Sequence, residues 1–302
     1  MRVAALDCGT NSIRLLVADT DEDGTGLVDV HRETRIVRLG QDVDRTGRLA
    51  PEALERTRAA LVDYALTVTE TGAERIRLVA TSATRDAQNR DDFVDMVRGQ
   101  LGIDPDVVTG AEEAALSFAG AVGVLGDVSG GLLVADIGGG STELVRGGDG
   151  PLRAHSLDVG AVRMTERYFR DDPPTAMQVQ AAEQDVRAAI NQARSLIGDN
   201  VPVVGVAGTV TTVVAMILGL TRYDADRLDG AVVTADAVRD VSERLLTMTR
   251  EERSAVPVIH PGRVDVIAAG ALILRVLLDE TDVIELTSSE HDILDGIALS
   301  MI

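Results

Sequence analysis

A nine-residue pattern occurs twice in this chain. Asp7-Cys-Gly-Thr-Asn-Ser-Ile-Arg-Leu returns as Asp136-Ile-Gly-Gly-Gly-Ser-Thr-Glu-Leu, with aspartate, glycine, serine and leucine at the same offsets. Each copy lies between two apolar runs: Val3–Leu6 and Ile13–Ala18 around the first, Leu132–Ala135 and Thr142–Val145 around the second. Apolar runs of this length joined by small residues read as β-hairpins. Each hairpin carries an aspartate at the end of its first strand. Two such hairpins, one early in each half, predict duplicated domains that face each other across a cleft.

The turn residues point to phosphate. A turn built on Gly9, or on Gly138, Gly139 and Gly140, leaves backbone N–H groups open and lets another molecule come close. Such amides form a nest for phosphate oxygens. Thr10, Asn11, Ser12, Ser141 and Thr142 add side-chain donors. The aspartates repel phosphate, so they make sense with a divalent cation between carboxylate and phosphate. Few protein ligands, all oxygen, suit Mg²⁺, with Mn²⁺ as its substitute. Asp7, Asp136 and the adjacent Glu143 are the candidate metal ligands. Ordinary hairpin turns also favour Asp and Gly; the recurrence at matched offsets favours the phosphate reading.

Charge narrows the partners. The formal net charge is −20, and all 29 basic residues are arginine. Without lysine there is no Walker-A lysine and no Schiff base. A chain this acidic lacks the basic surface a nucleic-acid binder needs. Local arginines or bound cations can still hold a small or linear anion. No apolar stretch is long enough to span a bilayer, and Met1-Arg2 leads straight into a strand signal, so neither a membrane partner nor a signal peptide is expected. One cysteine allows no internal disulfide and points to a reducing compartment, the cytoplasm.

The rest of the chain alternates. Further strand signals fall at Ile76–Ala80, Val201–Val206 and Val283–Leu286. Helical periodicity fills Pro51–Thr69, Arg90–Gly99, Glu112–Val124, Val162–Phe169, Ala176–Ile197, Val210–Leu218, Ala235–Leu246 and Arg263–Leu278. Alternation of this kind predicts an α/β architecture. Glycines and aspartates between Gly126 and Gly130 mark a boundary.

Seven segments together resemble one family: DCGTNSIRLLVAD (7–19), ATSATRDAQNRDDF (80–93), VTGAEEAALSFAGAV (108–122), DIGGGSTEL (136–144), LDVGAVRMTERY (157–168), GVAGTVTTV (205–213) and GRVDVIAAGALIL (262–274). They are similar to the exopolyphosphatase / guanosine pentaphosphate phosphohydrolase (Ppx/GppA) family, within the actin / sugar kinase / heat-shock ATPase superfold. The resemblance covers essentially the whole chain and matches the short, two-domain members. It implies two ribonuclease-H-like (actin-like ATPase) domains flanking a cleft. Because the last stretch, SSEHDILDGIALSMI, is expected to cross back onto the first domain, the domains would be 1–124 plus 290–302, and 125–289, hinged near 124 and 290. It also implies a homodimer.

The resemblance assigns roles. A glutamate in Gly110-Ala-Glu112-Glu113-Ala114 is similar to a general base that activates water, with Glu113 favoured and Glu112 in reserve. Glutamates near a helix N-terminus also simply favour the helix dipole. Arg85 can clamp phosphate bidentately, with Thr81, Ser82 and Asn89 as donors or caps. Gly208 and Thr209 resemble a third phosphate-side wall, although Ala207 stands where another glycine is expected. Arg163 and Arg167, four apart on one helix, either track a polyanion or pair with surface acids. Cys8 reads as a small, buried loop residue rather than a nucleophile. The four histidines show no zinc-ligand spacing.

The implied activity is Mg²⁺-assisted hydrolysis of terminal orthophosphate from inorganic polyphosphate. The alternatives are hydrolysis of guanosine pentaphosphate, a phosphotransferase using ATP or polyphosphate, and an idle phosphate sensor.

Overall fold

The computed structural model describes residues 1–21, 26–122, 130–148, 150–197 and 201–302. Two compact units emerge, Met1–Val124 with Asp292–Ile302, and Leu125–His291. The hinge expected near 124, and most of the 126–130 boundary, lie outside the described residues.

The first unit holds β1 (Arg2–Cys8), β2 (Ser12–Thr20), β3 (Leu27–Ile36), β4 (Arg75–Ala80) and β5 (Asp106–Val107), in the order β3-β2-β1-β4-β5. The β1–β2 and β2–β3 pairs are antiparallel, and β1–β4 and β4–β5 are parallel. The second unit holds β6 (Leu132–Ile137), β7 (Thr142–Gly147), β8 (Arg153–Leu157), β9 (Val203–Val206), β10 (Val232–Thr234) and β11 (Glu285–Ser288), in the order β10-β11-β9-β6-β7-β8. Reading β8-β7-β6-β9-β11 against the first sheet gives the same order and the same pairing directions. The second sheet adds only β10, antiparallel at its edge. The repeat seen in nine residues is therefore a repeat of whole sheets, the ribonuclease-H-like order expected.

Side-chain alternation along a strand explains why β1 reads as a continuous apolar run. Ala4, Leu6 and Cys8 face a core with Leu61, Tyr64 and Phe93. Val3 and Ala5 face the opposite core with Ile293, Leu294 and Ile297 of the last helix. Asp7 shares the parity of Val3 and Ala5, so it points toward that terminal helix.

Strands β3, β5, β8 and β10 carried no full signal in the sequence. They are edge or near-edge strands, short or charged, and β3 exposes Val28, Asp29 and Val30. Edges are kept polar or brief because a long apolar edge would pair with other chains, and that erases the apolar run by which a strand is read. Pro51 opens the helix Pro51–Thr71, as expected of its position. The helix expected over 263–278 runs instead over Ile267–Thr281, after a 3₁₀ turn at Pro261–Arg263. Among the described residues no helix is long and apolar enough to cross a membrane.

Candidate active-site residues

The two aspartate–glycine–serine loops are built alike. In the first, the Gly9 amide donates to the Ser12 carbonyl at 2.9 Å; in the second, Gly138 donates to Ser141 at 3.0 Å. Each loop is then backed by the chain that follows the third strand of its unit. Val37 and Arg38 donate to the Asn11 carbonyl at 3.0 and 2.8 Å, and Gly40 donates to Thr10 at 2.8 Å. In the second unit Ala161 donates to Gly138 at 2.9 Å, while Val162 and Arg163 donate to Gly139 at 2.8 and 3.1 Å. With these carbonyls engaged, the amides of Thr10, Asn11, Gly139 and Gly140 meet no acceptor among the described residues. Open, fixed amides are what an anion-binding nest requires.

The glycines that close approach makes obligatory sit in the backing segments. A Cβ on Gly40 would fall 2.3 Å from Thr10 Cγ2, and one on Gly160 would fall 2.5 Å from the Gly139 carbonyl. At Gly9 a Cβ would meet only ordinary contact, 3.5 Å from the Ser12 oxygen. Sequence reasoning credited the loop glycines and missed Gly40 and Gly160, because a packing demand between distant segments leaves no local pattern.

Side-chain donors divide. Thr10 Oγ1 lies 2.8 Å from Ser82 Oγ. Thr142 Oγ1 donates to the Val159 carbonyl at 2.7 Å, so this hydroxyl fastens the loop. Ser141 is buried, and Asn11 is buried with its Oδ1 unpartnered. Asn89 ties residue 49 through both ends of its amide and so serves the fold.

The carboxylates differ between units. Asp7 pairs across its hairpin with Arg14. Arg14 donates twice to one oxygen, Asp7 Oδ2, through Nε at 2.9 Å and Nη2 at 2.7 Å, and its Nη1 binds Asp292. Asp7 Oδ1 is buried without a partner. Burial pushes the Asp7 carboxyl above its ordinary value, and the pull of Arg14 does not reverse this. The same cross-strand position in the second unit sets Asp136 opposite Glu143. Both are buried, and Glu143 Oε1 accepts from Ser156 Oγ at 2.7 Å. The second unit thus presents two carboxylates on one sheet face. Among the described residues no three His, Cys, Asp or Glu side chains converge on one point. Within the first unit, the orphaned Asp7 oxygen suits a hard cation that takes few protein ligands, the habit of Mg²⁺. Arg14 and Asp292 carried no role in the sequence reading; the arginine lay inside the repeated pattern, but its partner is 278 residues away.

Glu112 and Glu113 separate cleanly. The helix Gly110–Val122 begins after Thr109, and Glu112 Oε2 accepts from Thr109 N at 2.8 Å while Glu112 N donates to Thr109 Oγ1. This is a capping box, legible as Thr-x-x-Glu. The bond from the Thr109 amide, then that from its hydroxyl, hold the Glu112 carboxyl below its usual value. Glu113 is turned inward, 7 % exposed. Its Oε2 accepts from Arg85 Nη1 at 2.9 Å, and the same nitrogen reaches the Val108 carbonyl at 3.1 Å. Arg85 thus meets Glu113, the pairing of the two residues that the family resemblance singled out.

In the third loop Ala207 adopts φ +68°, the left-handed conformation that favours glycine. It opens the helix Ala207–Ile217. The Arg263 guanidinium lies on Gly208, 1.9 Å from where a Cβ would stand. Thr209 is buried, packed against Gly270. Arg163 Nε donates to the Gly140 carbonyl at 2.6 Å, so it braces the second loop, and Arg167 pairs with Asp185 at 3.4 Å. Burial, with the neighbouring Asp7 charge, pushes the Cys8 thiol well up and leaves it inert as a nucleophile.

Two sheets of one order, each with an aspartate–glycine–serine loop backed in the same way, define a duplicated actin-like α/β protein. The Ppx/GppA phosphatase family model matches residues 16–302, and the chain belongs to that family. It is 50% identical to Exopolyphosphatase 2 of Mycobacterium tuberculosis over 316 residues, 99% of this chain and 98% of the relative. Among solved structures it is similar to an exopolyphosphatase-like protein, 43% identical with TM-score 0.94 over 99% of this chain and 97% of the other. It is also similar to the Aquifex aeolicus Ppx/GppA member, 31% identical with TM-score 0.83 over 100% and 97%.

Proposed function

We propose that this chain is an exopolyphosphatase that releases orthophosphate from the end of inorganic polyphosphate. The observation that carries the hydrolytic reading is the inward Glu113 with Arg85 bonded to it. The full-length likeness to a mycobacterial exopolyphosphatase supports the substrate.

Glu113 takes the proton of a water whose oxygen attacks the terminal phosphorus. The P–O bond to the bridging oxygen breaks, and its electron pair leaves with the shortened chain. Arg85 fixes the Glu113 carboxylate and offsets its buried charge. Thr10, Asn11, Gly139 and Gly140 offer their amides to phosphate oxygens. These contributions are positioning and charge stabilisation, which is most of what phosphoryl transfer needs. When bound, Mg²⁺ or Mn²⁺ neutralises phosphate charge, with Asp7, Asp136 and Glu143 as the residues that would hold it. A cytoplasmic place and a homodimer complete the reading; the lone buried cysteine supports the first and the family resemblance the second.

The test is phosphate release with Mg²⁺, compared among long polyphosphate, short polyphosphate, guanosine pentaphosphate and ATP. Release from polyphosphate is expected. Glu113→Gln should lower it by about 10²–10⁴-fold, the usual worth of a general base. Glu112→Ala should retain turnover and lose only its helix cap, read as a small fall in Tm. Release chiefly from guanosine pentaphosphate, or from ATP only when an acceptor is added, overturns the reading.

A further inference from the structure

The Arg14–Asp7 pair has an unusual shape. An arginine facing a carboxylate normally forms a fork, one bond to each oxygen. Here Arg14 places Nε and Nη2 on the same oxygen, Asp7 Oδ2, and Asp7 Oδ1 is left buried with no donor. The third nitrogen, Nη1, is held by Asp292. Asp292 is itself immobilised. Its Oδ1 accepts from Leu294 N at 3.0 Å as the N-cap of the helix Ile293–Leu299, and its own amide donates to Asp295 Oδ2 at 3.1 Å. Asp295 is in turn bound by Arg32 Nη1 at 3.2 Å. Asp7, Arg14 and Asp292 are all buried or nearly so, with side-chain exposures of 6, 16 and 5%.

We infer that Asp292 is a positioning residue: it turns the Arg14 guanidinium so that only one Asp7 oxygen is bonded and the other stays open to a divalent cation. Without this anchor Arg14 swings into a fork, covers both Asp7 oxygens and competes with the metal. Asp292 touches neither metal nor substrate; it acts through Arg14. The inference rests on the reading of Asp7 as a metal ligand given above.

The full-length protein is titrated with Mn²⁺ in the absence of substrate, with free Mn²⁺ followed by its electron paramagnetic resonance signal. The variants are Asp292→Ser and Asp292→Asn, both of which keep a good helix cap. Serine is too short to reach Arg14, and asparagine lacks the charge. Both are expected to weaken Mn²⁺ binding by about tenfold or more, as loss of an outer-shell partner does. In turnover, the Mg²⁺ concentration for half-maximal rate should rise by a similar factor, while KM for polyphosphate stays near that of the wild type. A fall in Tm with unchanged Mn²⁺ affinity would mean that Asp292 only caps its helix, and overturns the inference. So does wild-type Mn²⁺ affinity in Asp7→Asn, or no Mn²⁺ binding by the wild type. Weakened Mn²⁺ binding in a protein that hydrolyses no polyphosphate upholds the inference and removes the exopolyphosphatase reading. Polyphosphate hydrolysis with the same Mg²⁺ dependence in wild type and Asp292→Ser does the reverse.

Discussion

At the scale of single residues, two neighbours with the same side chain have opposite fates. Glu112 closes a capping box at an exposed helix start, and Glu113, one position on, is carried 100° around the helix into contact with Arg85. The sequence offered both as bases, since each is a glutamate in the first helical turn. Only the direction of the helix separates them. Ala207 is a second residue-scale case. The glycine-bearing turn predicted a glycine there, and the backbone does adopt the left-handed conformation, at φ +68°. An L-residue in that conformation costs about 1–2 kcal/mol, partly offset because glycine loses more backbone entropy on folding. Ala207→Gly is therefore expected to stabilise the protein by roughly 0.5–1 kcal/mol, raising Tm by about 1–4 °C in a thermal melt. An unchanged or lower Tm would show that this turn is not strained.

At the scale of elements, the loops are held by what packs behind them. The start of the helix Ala161–Tyr168 donates three amides to the second loop, and Gly160 permits the approach. Gly160→Ala places a methyl against the Gly139 carbonyl and must push the loop away. Phosphate release should fall by at least about tenfold while the far-UV spectrum is kept, since small displacements in a positioned site cost this much or more; wild-type turnover would count against the loop's role. The 3₁₀ turn at Pro261–Arg263 supplies a pH-dependent element. His260 Nδ1 accepts from Gly262 N at 3.0 Å, which requires the neutral ring at that atom. The residue is exposed, so partial desolvation first, and then the Arg263 charge, lower its pKa below the ordinary 6.5, and the contribution to stability is small. The unfolded chain thus binds the proton more readily, so this stability is complete above pH 6.5 and is lost as pH falls through the folded value. His260→Asn keeps an acceptor without the titration. Its Tm should depend less steeply on pH below 6.5 than that of the wild type.

At the scale of the whole molecule, a net charge of −20 works against a polyanionic substrate. Screening shortens the reach of that repulsion, with a Debye length near 10 Å at 0.1 M salt. kcat/KM on polyphosphate is expected to rise as NaCl increases from about 10 to 100 mM at fixed Mg²⁺, the opposite of the salt response of a basic polyanion binder. A fall would mean that a local cationic surface outweighs the net charge. The α/β class, the strands of both sheet centres and the two loops were legible in the chain, because these rest on runs and repeats that are local in it. The sequence also brought Arg85 and Glu113 forward, through motifs that resemble a family. What it could not contain is pairing between distant segments. The edge strands β3 and β8 were silent, since an edge must suppress the apolar signal that would announce it. Gly40 and Gly160 looked like any other glycines, since only the loop lying against them makes a side chain impossible. Whether Glu112 or Glu113 turns inward, and that Arg14 reaches Asp292 at the far end of the chain, were decided by tertiary structure alone. Both depend on which face of an element is buried and against what, and that is settled only when the last helix packs on the first sheet.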